Sequence, residues 1–418
     1  MKSFLIFYLK SIYSQIPKFI IRGKVYREYF KFLKMTEDWV KEDIDKFRLK
    51  EIEQLEKKLV NNTPYYKSFD FNCGFTDKNT LLKHTKSLLS TSESIDRMIP
   101  CTTGGSTGIP THFYLSDSSI KKNQAFVDYI LDKYGVSYKK IPRKVVFRGD
   151  VLPCDKNVMK VAKTYYFSSF DLDLSALNSY RIALEYFSPE IIHAFPSSLL
   201  VLVNYLINEN HLNRVQFDSV KTVLLSSEVC DDRQKLKILK VFPKATIIDF
   251  YSNSEQTILG YKVNFDKGIF PFQYGQVDVK KEELYSTSYL EKDYALFNYK
   301  TGDVVAGLKE SERGELLYDR IIGRTQTFLE GSQGEVVSIA SLNMHNKGFE
   351  NVNAFQYYQP RKGIVVVNLM CNHISDIEFL YIEEYFKAKL IGFKVSARLV
   401  KEMIRTPSGK EAIVIKDF

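Results

Sequence analysis

The segment Cys101-Thr-Thr-Gly-Gly-Ser-Thr-Gly-Ile-Pro-Thr111 places three glycines and four hydroxyl residues in the eight positions from Thr102 to Ile109. Glycines let backbone N–H groups approach an anion closely and adopt positive φ. Successive N–H groups then form a nest for phosphate, and the hydroxyls add further donors. No Gly-Lys-Ser/Thr closes the segment, so it is not a Walker A loop. Gly104-Gly105-Ser106-Thr107-Gly108 also fits the G-x-S-x-G nucleophile elbow of hydrolases, which must turn straight into a helix. Here Pro110 follows two residues later, THFYLS reads as a strand, and nothing marks His373 as a catalytic partner. The residues therefore favour a phosphate-binding loop over a serine nucleophile.

Outward from this loop, residues 98–300 alternate short apolar runs (KVVFRG, EIIHAF, SVKTVLLSS, ATIIDFY) with polar or helical stretches. Such alternation predicts an α/β domain built on a mostly parallel sheet. Ligands of such sheets bind beyond the carboxyl ends of the strands. Near Tyr318–Arg324 the pattern changes. NAFQYYQ, GIVVVNLMC and KVSARLVKEMI read as strands and SDIEFLYIEEYFKAKL as a helix, which predicts a small α+β C-terminal domain. The expected organisation is residues 1–322 as a large α/β domain, with a helical start over 1–60, and 323–418 as a smaller mobile one. Helical spacing of Trp39, Ile44, Phe47, Ile52, Leu55 and Leu59 predicts a helix over Thr36–Leu59.

Composition narrows the class. The chain has 418 residues, 44% hydrophobic and 26% charged, the range of globular domains rather than of disordered chains. Its five cysteines form no C-x-x-C pair and its six histidines no H-E-x-x-H, which argues against a disulfide framework and a zinc site. No run approaches the ~18 apolar residues of a spanning helix. The opening MKSFLIFYLK is interrupted by Lys10 and lacks a cleavage site, so the protein is expected in the cytoplasm. Net charge is +9, and no acidic residue lies between Lys2 and Arg27. Residues 1–34, with Phe4, Phe7, Tyr8, Tyr13, Phe19, Tyr26, Tyr29, Phe30 and Phe32 among Lys and Arg, allow peripheral contact with an anionic membrane. A helix packed on its own domain is the commoner outcome. No nucleic acid is expected as partner.

TTGGSTGIPT resembles the phosphate loop of the adenylate-forming superfamily, which includes acyl-CoA synthetases and peptide-synthetase adenylation domains. Its Pro-Thr ending resembles the phenylacetate–CoA ligase branch and its CapK-like capsular-polysaccharide relatives. Further resemblances follow in the family's order: NNTPYYK (61–67), AFPSSL (194–199, the Pro-Ser segment near the acyl pocket), LLSSEV (224–229, the strand end against adenine), DFYSNSEQ (249–256), NYKTGD (298–303), IIGRTQTF (321–328, the Gly-Arg hinge) and RTPSGK (405–410). Together they run from about residue 30 to the C-terminus. Each alone is an ordinary loop or turn. Their joint order gives the set its weight.

The resemblance implies ATP-dependent activation of a carboxylic acid as an acyl-adenylate, then transfer to CoA, a carrier-protein thiol or an amine. It implies that Thr103, Gly104, Gly105, Ser106, Thr107 and Gly108 hold the β- and γ-phosphates, that Ser254 contacts the α-phosphate and that Glu255 ligates Mg²⁺. Ser227 and Glu228 lie at the adenine, and Tyr251 stacks on it. Asp303 accepts from the ribose hydroxyls, Arg324 lies near ribose and phosphates, and Lys410 bridges the carboxylate and the α-phosphate. Two departures stand out: Ser252 occupies a usual Gly position, where a Cβ is expected either to crowd ATP or to shift the loop, and Gln326 a usual Asp or Lys position. LEGSQGEVVS matches the pantetheine-channel segment only with an inserted residue, which leaves the acceptor open. The alternative reading is a nucleotide-binding or membrane-associated accessory protein without catalysis. Retention of Lys410 speaks against it.

Overall fold

The computed structural model describes residues 16, 18–102, 111–137, 139–148, 157–169, 172–208, 217–228, 230–280, 283–324, 328–339, 342, 351–371, 373–401, 404 and 414–418. They form two compact units, and the chain passes from the large to the small one between Ile321 and Ile322. Three residues farther back, Gly302–Val304, group with the small unit.

In the large unit, β1 (Ile99–Thr102) and β2 (His112–Leu115) pair antiparallel. The principal sheet uses β3 (Lys144–Arg148), β4 (Val158–Val161), β5 (Thr164–Ser168), β6 (Ile191–Ala194), β7 (Thr222–Ser226), β8 (Thr246–Ser252), β9 (Leu259–Val263) and β10 (Gly268–Phe270). After β11 (Gly275–Lys280), β12 (Glu283–Ser288) and β13 (Tyr299–Ala306), it is completed by β14 (Lys309–Glu310) and β15 (Leu316–Tyr318). The ten strands run in the order β14-β15-β10-β9-β8-β7-β6-β3-β5-β4. Only β5-β3-β6-β7-β8 are mutually parallel, and both flanks are antiparallel. The helices that cross over between the central strands impose that parallel pairing.

Parallel strands buried on both faces read as continuous apolar runs, which is why IIHA, TVLLS and TIIDFYS are legible as β6–β8. On one face Ile192, Val223, Leu225 and Ile247 meet Tyr180 of α5 (Leu174–Phe187), Leu199 and Leu202 of α6 (Pro196–Asn208) and Ile238 of α7 (Asp232–Val241). On the other, Ile191, Leu224, Ile248 and Phe250 meet α1 (Gly23–Met35) and α4 (Asp117–Lys133).

For residues 23–35 helix α1 takes the commoner of the two outcomes expected of residues 1–34, packing on its own domain. Its Tyr26, Phe30 and Leu33 are buried in the core, and Arg22 pairs with Asp128 at 2.8 Å. That face is committed to the protein. Residues 1–15 lie outside the described residues. No helix among the described residues is long and apolar enough to cross a membrane. The helix expected over Thr36–Leu59 is α2 (Lys41–Asn62), which starts five residues late because Trp39 packs on Phe47 and Phe272.

The small unit holds β17 (Phe328–Glu330), β18 (Val336–Ser338), β19 (Val352–Arg361), β20 (Ile364–Cys371), β21 (Lys394–Leu399) and β22 (Val414–Lys416). Its four-stranded sheet runs β21-β20-β19-β22. One helix, α8 (Asp376–Lys389), crosses over between parallel β20 and β21 and buries Ile382 and Phe386 against Tyr357, Val365, Val367 and Leu369. The strand expected through Ile404 ends at Leu399, where its pairing to Leu369 ends.

Candidate active site

Strand β8 leaves the sheet at Ser252 and returns antiparallel as β9, with Ser252 facing Leu259 and Tyr251 facing Gly260. The connecting turn carries Ser254 and Glu255. Asn253 shapes it: its Oδ1 accepts from the Thr257 N–H at 3.0 Å, its Nδ2 donates to Thr257 Oγ1 at 2.7 Å, and its carbonyl accepts from the Gln256 N–H at 3.2 Å. Gln256 sits at φ 55°, a left-handed conformation that the closed turn holds in place. Thr257 is locked from below by a bond from Ser286 Oγ at 2.9 Å.

This turn presents Ser254 exposed and Glu255 half-buried. Buried Tyr299 donates its hydroxyl to Glu255 Oε1 at 2.8 Å, which fixes the carboxylate. Among the described residues Glu255 Oε2 carries no hydrogen bond. Tyr251 lies half-buried with its ring edge-on to Phe270. Opposite it, a Cβ on Gly260 would come within 2.9 Å of Phe270, so this glycine permits the close packing beside Tyr251. Ser252 points to solvent, so its side chain does not crowd the fold itself.

Strand β7 ends beside β8, with Ser226 facing Phe250. Ser227 follows at φ 69°, exposed, and Glu228 is half-buried. On the next strand, His193 Nε2 lies 3.2 Å from Ser226 Oγ. Burial, with the nearby Lys144 charge, pushes the imidazole down to about 4, so it is neutral at physiological pH. Beneath β8, Lys235 is 1% exposed, pairs with Asp249 at 3.5 Å and donates to the Asn264 carbonyl at 3.0 Å. Burial raises the Asp249 carboxyl to about 6 against the lowering effect of Lys235.

The flanking strands argue against the nucleophile elbow: β1 precedes residues 103–110, and the element that follows them is the strand β2, not a helix. Ser106, with the rest of Thr103–Gly108, lies outside the described residues, as do Gln326, Lys410 and the side chain of Arg324. Asp303 is half-buried on β13.

No protein-family model matches the chain. It is 22% identical to protein CapK of Staphylococcus aureus over 98% of this chain and 93% of that protein. Among solved structures it is similar to 2-hydroxyisobutyryl-CoA ligase bound to its adenylate and CoA, with TM-score 0.57, 15% identity and 90% of each chain covered. The same ligase in its post-adenylation state gives TM-score 0.55 at 14% identity, over 89% of each chain. The fold is that of an adenylate-forming ligase.

Within this ligase fold, Tyr251, Ser254 and Glu255 fall on one hairpin, and Ser227 and Glu228 follow the adjacent strand. The described residues hold no cluster of three metal-binding side chains. Mg²⁺ commonly needs only one or two carboxylates when substrate phosphates and waters complete its octahedron. Glu255, with one oxygen fixed and the other without a hydrogen bond among the described residues, fits that use. Sequence reasoning gave no role to Tyr299, although it lies within NYKTGD, nor to His193, Asn253 or Lys235. Their partners are 44, 33, 4 and 14 positions away, and no local pattern marks most of those pairs.

Proposed function

We propose that the protein uses ATP to convert a carboxylic acid to its acyl-adenylate and then transfers the acyl group to CoA, a carrier-protein thiol or an amine. The carrying observation is Glu255, held by Tyr299 on a turn that Asn253 closes, in a chain with the ligase fold. A carboxylate oxygen of the acid attacks the α-phosphorus, the bond from that phosphorus to the bridging oxygen breaks, and pyrophosphate leaves with the electron pair. Both reactants are anions, so stabilisation of developing charge is the main task. Mg²⁺ held by Glu255 supplies charge neutralisation at the phosphates.

In this reading Thr103–Gly108 cradle the β- and γ-phosphates and Ser254 meets the α-phosphate. Tyr251, Ser227 and Glu228 receive the adenine, while Asp303 and Arg324 receive the ribose. Lys410 bridges the two reacting anions from the small C-terminal domain, residues 323–418, acting as a lid. An ammonium on a long flexible stem suits a charge that must reach the reacting atoms late. The Pro-Thr ending of the 102–111 segment, which resembles the phenylacetate–CoA ligase branch and its CapK-like capsular-polysaccharide relatives, supports that subtype, a place in surface-polysaccharide assembly in the cytoplasm, and an amino sugar as one acceptor.

Carboxylate-dependent pyrophosphate release from ATP, run over aromatic, amino, hydroxy and fatty acids, tests the reading. Release with one acid class is expected. ATP binding without release from any acid would favour the non-catalytic reading. For the N-terminus we propose contact with anionic membrane through the residues ahead of α1. Deletion of residues 1–16 should abolish salt-sensitive binding to anionic vesicles and leave folding intact. Undiminished vesicle binding after the deletion would refute the contact.

A further inference from the structure

Strand β19 carries two buried amides that act on backbone. Gln356, 1% exposed, donates from Nε2 to the Ile404 carbonyl at 2.8 Å, and its Oε1 accepts from the Ile404 N–H at 3.0 Å. One side chain thus closes both polar groups of one residue, as a neighbouring strand would. Gln359 does the same at Glu330, accepting from its N–H at 3.0 Å and donating to its carbonyl at 2.6 Å.

The Gln356 pair is the end of a row. Asn368, fully buried and opposite Gln356 on β20, donates to Gln356 Oε1 at 3.1 Å. Arg398, opposite Asn368 on β21, donates from Nε to Asn368 Oδ1 at 2.7 Å. The guanidinium orients the Asn368 carbonyl, which turns the Asn368 amide toward Gln356 and so fixes the Gln356 rotamer. Buried amides cost about 1–3 kcal/mol when left unpaired, so the row holds together as a unit.

Ile404 is the last described residue before 405–413, and Val414 is the first after it. Val414 pairs with Tyr357, the neighbour of Gln356. Consecutive residues of β19 therefore grip both stems of the segment that carries Lys410. We propose that Gln356, oriented through Asn368 by Arg398, is a positioning residue that sets where Lys410 is delivered. The purpose assigned to it rests on the adenylation reading above. The clamp itself rests only on the contacts just described.

The test uses the full chain. Trypsin cleavage after Arg405 and Lys410 is followed by mass spectrometry in Gln356→Asn, whose shorter amide cannot reach both Ile404 groups, and in Arg398→Ala, a change at an exposed residue. Cleavage at these two sites should rise about tenfold in Gln356→Asn, the effect of roughly one or two lost hydrogen bonds on local opening, and a few-fold in Arg398→Ala. Cleavage within the large unit should not change. With the acid found in the panel, kcat for pyrophosphate release should fall about tenfold in Gln356→Asn at constant KM for ATP, since small misplacements of a catalytic group are costly. Unchanged cleavage in both variants overturns the clamp. Raised cleavage with unchanged kcat overturns the positioning role. If Gln356→Asn does not fold, Arg398→Ala decides. Full adenylation by Lys410→Ala would remove the lysine's role instead, and it is read separately because the cleavage rates do not depend on it.

Discussion

Glu255 and the Lys410 segment rest on supports of opposite character. Glu255 leaves a sheet whose central strands are apolar on both faces, with Ile191, Ile192, Val223, Leu224, Leu225, Ile247 and Ile248 all buried. The stems of the Lys410 segment rest on β19, where a buried amide and one strand pair supply the grip. Apolar support is spread over many contacts, each individually small. Polar support is concentrated in a few bonds, so one atom out of place removes much of it. The first region should therefore tolerate single substitutions among its apolar supports, and the second should not tolerate them among its polar ones.

Lys410→Ala should have the largest effect. Removing one transition-state electrostatic contact costs roughly 10²–10³ in rate. Carboxylate-dependent pyrophosphate release should fall by that factor, while ATP binding, measured by calorimetry, stays nearly unchanged. Equal losses in binding and rate would mean that the lysine holds the ground state, and the contrast between the two regions would lose its catalytic meaning.

Lys235→Met tests whether the large unit has a polar weak point of its own. Buried Lys235 pairs with half-buried Asp249 beneath β8; removing one partner of a fully buried pair typically costs about 3–5 kcal/mol, which is the upper bound here. The fluorescence of Trp39, the chain's single tryptophan, which stacks on Phe272, reports unfolding of this unit. A marked drop in the urea midpoint is expected, and Lys235→Met with Asp249→Asn should recover part of it. A change below about 1 kcal/mol, the level of an exposed pair, would show the apolar sheet to be sufficient alone.

These two predictions also mark what the sequence displays. The central strands were legible because burial on both faces demands apolar runs, and the segment DFYSNSEQ singled out in the sequence coincides with the end of β8 and the turn after it. The antiparallel flanks were less so: LGYKV and GIF are short strands whose partners a one-dimensional pattern does not name. Nor does any periodicity reveal that Gln356 bonds to Ile404, 48 positions on, or Tyr299 to Glu255. A glutamine in a strand and a tyrosine in a motif read the same whether or not they carry a partner. The sequence left two outcomes for the N-terminal helix, because an aromatic-basic face suits a membrane and a protein core alike, and α1 takes the second.

His193 supplies a pH signature from the large unit. Its folded pKa of about 4 lies below the ordinary 6.5, so between these values the unfolded state binds more protons. Its contribution is fully present above pH 6.5 and is lost as pH falls toward 4. At about 1.4 kcal/mol per unit, and discounted for partial exposure, roughly 1–3 kcal/mol is at stake. Asp249, raised to about 6, acts in the opposite sense, contributing less as pH rises from about 4 to 6. The difference between the wild type and His193→Phe isolates the imidazole. Urea midpoints at pH 4.5 and 7 should differ less in the variant. Identical differences would mean that the ring is solvated and that its bond to Ser226 is incidental.

The smallest expected effect sharpens the comparison most. Tyr299→Phe removes the hydroxyl that Glu255 Oε1 accepts, and leaves the turn closed by Asn253 and Thr257. If the turn is the principal support, the carboxylate stays near its place. The rate should then fall only about threefold to tenfold, less than the roughly 1.5–3 kcal/mol of a full hydrogen bond to a charged group, with the Mg²⁺ concentration for half-maximal rate moving upward. Glu255→Gln, which removes the charge itself, should cost far more. Should Tyr299→Phe match Glu255→Gln, the carboxylate would depend on one bond as fully as Ile404 depends on Gln356. The two regions would then share one design: a catalytic group steered by a single buried polar partner distant in the sequence.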